Sequence, residues 1–482
     1  MIQISLIVLS LCCLGVLLFK RVKGREFINV YLTNFVLQFF VLDLANEYLN
    51  GYQSKNDTHY IAAAMAVSSI YVLCIWTLCA IPSFKDTSRL AFDSLLSAGY
   101  PFARYAICLW LAFRVYLYAK YGIRSFAYLD LFSQGGPQQS PLGYAETVLM
   151  MSSLYLANGA VMALVIQAAI RGYRAISILE WSLLILFFGF VLFGEAPLGV
   201  RRTIILYAMI YIVAYATSRE VSWKVLSFSL VIGAMGIAFI GYYQSVRFNA
   251  ANPEVYRLLS SGNISDVLSG LVAYVTPGPQ LAGAHGFRSG GFDYLATCIR
   301  LVDQSGNIMG GSLLLFSFYK IIPSAFYTGK SRLDIDEVVS KFFRIEDTDY
   351  AANILANLYV DIGVLSVVLS PLLWWSLMYM MLAILSKAKT NGPLALSVSG
   401  MIFGMLSSVE GSLTSLFVYG RDIFIILPVY YLIGLVFGRS RATATVHGSS
   451  ETQNQAHRDL SAVSPAQSRR YQLLSRGPTR SE

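Results

Sequence analysis

The sequence predicts an all-α, polytopic integral membrane protein of about eleven transmembrane helices, and three observations carry that prediction. Hydrophobic residues make up 56% of the 482 positions and charged residues 13%, with a mean hydropathy of +0.58; no ordinary water-soluble globule has such a composition. Apolar runs close to the ~20 residues needed to cross a ~30 Å hydrocarbon core recur along almost the whole chain. The runs are too long and continuous for barrel strands, and lipid offers a bare peptide group no hydrogen-bond partner, so helices are expected.

Taken in order, the runs predict spans near 2–19, 28–46, 61–81, 98–118, 146–169, 178–194, 203–217, 224–243, 352–385, 394–411 and 417–437. The first lacks a basic stretch ahead of it and is followed by Lys20, Arg21, Lys23 and Arg25, so it reads as a span and not as a cleavable signal peptide. Cationic loops set the expected orientation. Lys20 to Arg25, Lys85 with Arg89, Arg171 with Arg174, Arg219 with Lys224, Lys387 with Lys389, and Arg439 with Arg441 all fall on one side, which the positive-inside rule makes the cytoplasm. The N-terminus is then outside and the C-terminus inside, with loops 47–60, 119–145, 195–202 and 244–351 outside.

A further apolar run, Ile308 to Tyr327, is read as a helix at the interface or re-entering the membrane. A full span there would reverse every downstream loop and strand Lys320 at mid-depth. The expected organisation is a bundle of about eight spans over 1–243, a large outer loop with interfacial helices over 244–351, about three spans over 352–438, and a polar, Ser-rich disordered tail over 439–482.

Composition also removes several classes. The net charge of +9 follows membrane topology and does not imply nucleic acid as a partner. Cys12, Cys13, Cys74, Cys79, Cys108 and Cys298 have neither zinc-ligand nor redox spacing, and His59, His285, His447 and His457 are scattered. Neither a Walker A loop, a G-x-S-x-G elbow nor an H-E-x-x-H helix is present. Asp334-Ile-Asp336 and Asp347-Thr-Asp349 have the form of metal-binding triplets, but mixed charges at helical spacing read first as a solvated helix face, and no metal is assigned.

The candidate site residues are mainly cations expected on the outer side. Arg201 and Arg202 follow Gly194, Pro197 and Gly199, which break the preceding helix, and they open the next one. Two guanidiniums at a helix N-terminus, beside free amides and the positive dipole end, form either an anion site or an anchor for lipid headgroups. Glu195 stands beside them as a general base or as their ion-pair partner. Arg104 and Arg114, ~15 Å apart on one helix, are intramembrane cations that either bind substrate or snorkel, and Arg114 is the nearer to the outer side.

Arg247, Arg257, His285, Arg288 and Arg300 gather in the first half of the large loop among aromatics, glycines and prolines. Such a set suits a sugar-phosphate, with cations for the phosphate and ring faces for the sugar, and His285 as an acid–base candidate. Glu410, Arg421 and Asp422 fall at the expected outer ends of the last two helices, where they either line a common cavity or form a structural ion pair.

The G-x-R-R pattern at Gly199 to Arg202, the basic opening of the large loop and the layout of spans from Phe193 to Phe437 resemble the O-antigen polymerase (Wzy-type) family of polytopic membrane glycosyltransferases. The resemblance implies a GT-C-like fold with one large periplasmic loop, in the bacterial inner membrane. It also implies transfer of a growing oligosaccharide from a polyprenyl-pyrophosphate donor to the terminal sugar hydroxyl of the next lipid-linked repeat unit. In that reading Arg201, Arg202, Arg247 and Arg288, with Arg114, Arg257 and Arg421, bind pyrophosphate and sugar, while Glu195, His285 and Glu410 are the catalytic candidates. No cofactor is implied, and the implied partners are the lipid-linked oligosaccharide, the bilayer, a chain-length regulator and a flippase. An O-antigen ligase, and a transporter or flippase of lipid-linked sugars, are the alternatives that the sequence leaves open.

Overall fold

The computed structural model describes residues 26–36, 56–121, 143–194, 200–218, 253–259, 261, 263–276, 291–322, 335–343, 353–410 and 412–434. Among them no strand occurs, and most are helical. The helices are α1 Glu26–Val36, α2 Thr58–Leu78, α3 Pro82–Ser94, α4 Ala103–Tyr121, α5 Tyr144–Arg171, α6 Ile178–Gly194, α7 Val200–Ser218, α8 Pro253–Leu259, α9 Ile264–Val275 and α10 Gly291–Ser305. They continue with α11 Ser312–Ile321, α12 Ile335–Phe343, α13 Ile354–Ile362, α14 Ser366–Lys387, α15 Gly392–Ser407 and α16 Leu413–Gly434.

Among the described residues, five helical stretches are long and apolar enough to cross a membrane: Thr58–Leu78, Pro82–Tyr121, Ala145–Arg171, Ile354–Lys387 and Leu413–Gly434. Their outward faces carry large apolar side chains such as Leu73, Leu109, Val368, Phe424 and Leu432, all more than half exposed, which only a lipid solvent makes inexpensive. The expected spans 2–19 and 224–243 and the tail 439–482 lie outside the described residues, as does the part of span 28–46 beyond Val36.

The core is built on α15, which is buried on almost every face from Gly392 to Leu406. Its closest neighbour is α5, which also packs against α4 and α7. Because lipid tails are as apolar as leucine, such helices associate by close contact rather than by hydrophobic exclusion, and small residues permit it. A Cβ added at Gly159 of α5 would fall on the Leu396 carbonyl, and one at Gly400 of α15 on the Tyr155 carbonyl. The two backbones therefore touch.

Three elements differ from the sequence expectation. Residues 82–97, expected as a cytoplasmic loop, are helical: Phe84, Ser88 and Ala91 share the buried face of α3, and α3 packs against α14. Pro82 opens that helix, and the Phe84 ring packs against the stacked pair Trp375 and Tyr379 at 6.0 and 5.9 Å. A π-turn over Leu95–Gly99 and a 3₁₀ turn over Tyr100–Phe102 then carry the chain into α4 without a break. The expected single span 352–385 is divided into α13 and α14, because Gly363 ends α13 at φ +62°, a conformation that favours glycine. Finally, α16 starts at Leu413, four residues earlier than expected, with its first amide donating to Asn357 Oδ1 at 3.1 Å.

In the described part of the apolar run from Ile308, the helix is the ten-residue α11. Its ~15 Å length is half of what a hydrocarbon core requires. Asp361 of α13, fully buried, accepts from the amides of Leu313 and Leu314 at 3.0 and 2.9 Å and so satisfies the N-terminus of α11 from 48 and 47 residues away. Thr414 donates to Ser317 at 3.4 Å, and Phe318 meets Phe417 edge to face, fixing α11 against the first turns of α16.

The bundle has two ends. At one, Asn34 near the close of α1 donates to the Leu406 carbonyl of α15 at 2.9 Å, and Lys120 near the close of α4 pairs with Glu146 at the start of α5 at 2.7 Å. The start of α2 joins them through α10, with Asn56 donating to Asp293 at 2.9 Å and Tyr60 to Asp303 at 2.8 Å. At the other end Ser94 donates to the Ser386 carbonyl, Tyr100 to Ala175, and Asn391 to Tyr431.

Candidate functional site

At the first of these ends a cavity of about 430 Å³ opens between α5, α6, α7, α15 and α16, within the roughly 300–1,000 Å³ of small-ligand sites. Its place follows from local sequence. Met151, Tyr155 and Asn158 are spaced four and three apart and so share one face of α5, while Gly400, Phe403, Gly404 and Ser407 share one face of α15. The third wall is Ser415, Val418 and Tyr419 of α16, with Ser412 and Thr414 at its opening turn, and Thr203 enters from the first turn of α7.

The chemistry of the lining is uniform. Thr203, Ser407, Ser412, Thr414 and Ser415 supply five aliphatic hydroxyls, Tyr155 and Tyr419 two phenols and Asn158 an amide, and no charged side chain lines the cavity among the described residues. Several groups are held in fixed orientations. Tyr207, stacked on Phe403 at 4.3 Å between ring centres, donates to Asn158 Oδ1 at 2.9 Å, which leaves the Asn158 Nδ2 donor without a partner among the described residues. Gly404 gives space to the Tyr419 ring, since an added Cβ there would stand 2.5 Å from the ring edge.

One charge cluster adjoins this neutral wall. Asp422 follows Tyr419 by three residues and Ser415 by seven, which puts its carboxylate on the cavity-facing side of α16, one turn deeper. It is 3% exposed. Arg421 reaches its Oδ1 through Nε at 2.8 Å and a terminal nitrogen at 2.6 Å, while the Tyr155 hydroxyl donates to Oδ2 at 2.7 Å. Neither Arg421 nor Asp422 lies at the helix end as expected: α16 begins eight residues before Arg421, so the pair sits ~12 Å down the helix.

No protein-family model, curated protein or solved structure matches this chain. The site therefore has to be read from its own geometry.

The sequence-derived candidates divide accordingly. Arg201 and Arg202 belong to the first turn of α7, directly before Thr203, and Glu410 belongs to the 3₁₀ turn between α15 and α16, between the lining residues Ser407 and Ser412; for these three the structure describes the backbone alone. Arg421 is engaged with Asp422. Arg114 is 8% exposed, lies over the Trp110 ring at 5.4 Å and donates to the Met150 sulfur at 3.8 Å, on the α4–α5 interface and outside the cavity wall. Arg257 is exposed on α8 and likewise does not line the cavity. Glu195, Arg247, His285 and Arg288 lie outside the described residues, as do Asp334, Asp347 and Asp349.

Sequence reasoning missed Tyr155, Asn158, Thr203, Ser407 and the hydroxyl run Ser412, Thr414, Ser415. Isolated hydroxyls inside apolar spans carry no pattern of their own. A signal was nevertheless present in the G-x-x-x-G spacing of Gly400 and Gly404, which marks a close helix contact.

Proposed function

We propose that this chain polymerises polyprenyl-pyrophosphate-linked oligosaccharide repeat units at the periplasmic face of the bacterial inner membrane. It does so as a GT-C-like glycosyltransferase of about eleven spans, with the N-terminus and residues 244–351 periplasmic and the C-terminus cytoplasmic. The observation that supports this reading is the junction at the start of α7: Arg201 and Arg202 open the helix, and the next residue, Thr203, forms part of a cavity walled by hydroxyls, an amide and aromatic rings. Two cations at a helix N-terminus suit a pyrophosphate, and a hydroxyl-rich aromatic cavity suits a sugar ring. A lipid-linked sugar pyrophosphate presents both features a short distance apart.

In the proposed reaction the terminal hydroxyl of one repeat unit attacks the anomeric carbon of the donor chain. The bond from that carbon to the pyrophosphate breaks, its electron pair stays with the polyprenyl pyrophosphate, and Arg201 and Arg202, with Arg247 and Arg288, stabilise the growing negative charge. Glu195, His285 and Glu410 are the proton acceptors that the sequence offers. A chain-length regulator and a flippase that delivers the units are the proposed partners.

The test is a gel of surface glycolipid from the host with the gene deleted and then restored. Collapse of a ladder to a single capped repeat unit on deletion, with recovery on restoration, is the expected result. Loss of every capped species points instead to a ligase or flippase and overturns the proposal. Arg201→Ala and Arg202→Ala variants, present at normal amounts, are expected to lose the ladder, with rates down about 10²–10³-fold.

A further inference from the structure

Asp422 poses a problem that packing does not solve. A buried carboxylate loses several kcal/mol of hydration, and its pairing with Arg421 only partly repays this, so an apolar side chain in the same space is the cheaper way to fill the bundle. An ionisable group at this depth in a membrane helix marks function by default. The carboxylate itself has no access to the cavity: Oδ1 is covered by Arg421, Oδ2 by the Tyr155 hydroxyl, and Asp422 is absent from the lining. Among the described residues, Tyr155 is the one that both lines the cavity and donates to the carboxylate. Its proton is committed to Asp422 at 2.7 Å, so towards the cavity its oxygen can only accept.

We infer that Tyr155, backed by Asp422, is the group that takes the proton from the acceptor sugar hydroxyl seated in this cavity. The inference rests on the polymerase reading given above and replaces Glu195, His285 and Glu410 in that one role. As the sugar oxygen bonds to the anomeric carbon, its proton passes to Tyr155 Oη while the phenolic proton passes to Asp422 Oδ2. The electron pair of the breaking bond leaves with the polyprenyl pyrophosphate. Tyr155 ends as it began, and Asp422 holds the proton until release. Asp422 acts through Tyr155 and is a positioning residue; Tyr155 touches the substrate. Arg421 holds the carboxylate aimed at Tyr155 between turnovers. Asn158 Nδ2, on the same face of α5 as Tyr155, serves as a donor to the sugar.

The test uses full-length protein in native membranes. These are supplied with a lipid extract from the deletion host, which contains its own lipid-linked repeat unit, and the initial rate of two-unit product is followed. Tyr155→Phe removes one oxygen and keeps the ring, and the contact with Gly400, made by the Tyr155 backbone, is retained. With protein amounts matched, its maximal rate is expected to fall about 10²-fold at an unchanged half-saturating substrate concentration. Asp422→Asn is expected to show the same split, and Asp422→Glu to recover part of the rate. If Asp422→Asn fails to accumulate, Tyr155→Phe alone decides.

A Tyr155→Phe rate within threefold of the unaltered protein overturns the inference, and so does a loss confined to the half-saturating concentration. In either case the polymerase reading survives provided that Arg201→Ala still abolishes product. If the unaltered protein itself makes no two-unit product from this extract and deletion leaves the ladder intact, the polymerase reading is overturned, and the inference with it.

Discussion

Replacing Gly400 by alanine puts a methyl group where α5 and α15 are already in backbone contact, on the Tyr155 carbonyl. An ordinary carbon contact needs roughly 3.5 Å, so the helices have to part by on the order of 1 Å. The obstacle is backbone and cannot rotate aside, which places the cost near the upper end of the overpacking range, about 3 kcal/mol. Alanine returns up to about 1 kcal/mol through its better helix propensity, leaving a net loss of about 2 kcal/mol. At roughly 1 °C per kcal/mol for a chain of 482 residues, the melting midpoint falls by about 2 °C. The control is Gly189→Ala on α6, where an added Cβ meets nothing within 4 Å, and its midpoint stays level or rises. The assay is the fraction of full-length protein that remains monodisperse in mild detergent after heating. A Gly400→Ala protein that melts together with Gly189→Ala refutes the close-contact reasoning.

Gly404→Ala presses only on the end of the Tyr419 ring, which can swing into the cavity, so it costs less than about 1 kcal/mol yet shortens the glycolipid ladder at normal membrane amounts. Asp361→Ala leaves the buried amide of Leu313 and the part-buried amide of Leu314 without this acceptor and destabilises the α11–α13 contact by about 2–4 kcal/mol, read as faster proteolysis around residues 306–322. Lys120→Ala leaves the melting midpoint unchanged because its side chain is 47% exposed, whereas Glu146→Ala lowers it, since that carboxylate also accepts from Tyr121 and from the Gly143 amide that begins α5.

Membrane residence and helix content were legible in composition and run length, because the ~20-residue period of a span is a property of each segment alone. The helix α3 was not, since Lys85, Asp86, Arg89 and Asp93 lower its hydropathy and only the spacing of Phe84, Ser88, Ala91 and Leu95 betrays the buried face. The break at Gly363 had a visible glycine but no neighbouring proline or polar run to announce it. The cavity was the least legible feature. Its walls come from residues 151 and 419 and those between, so their meeting depends on which helices pair, and that is decided by the close backbone approach at Gly159 and Gly400 rather than by any hydroxyl or charged side chain. Reading by charge led to Arg201, Arg202 and Arg421, which border the cavity or lie beneath it, and overlooked the hydroxyls that form it.

The carboxylate of Asp361 also imposes an order on biogenesis. The amides of Leu313 and Leu314 leave the ribosome 48 and 47 residues before the oxygens that satisfy them. At roughly 5–20 residues per second, that is an interval of about 2–10 s during which α11 has no cap. Half a span long and incompletely bonded, the segment has no stable seat in lipid until α13 emerges, and Asn357 of the same short helix then bonds the first amide of α16, still 56 residues away in sequence. A nine-residue helix thereby serves as the assembly clamp for the second half of the chain, gathering one element made before it and one made after.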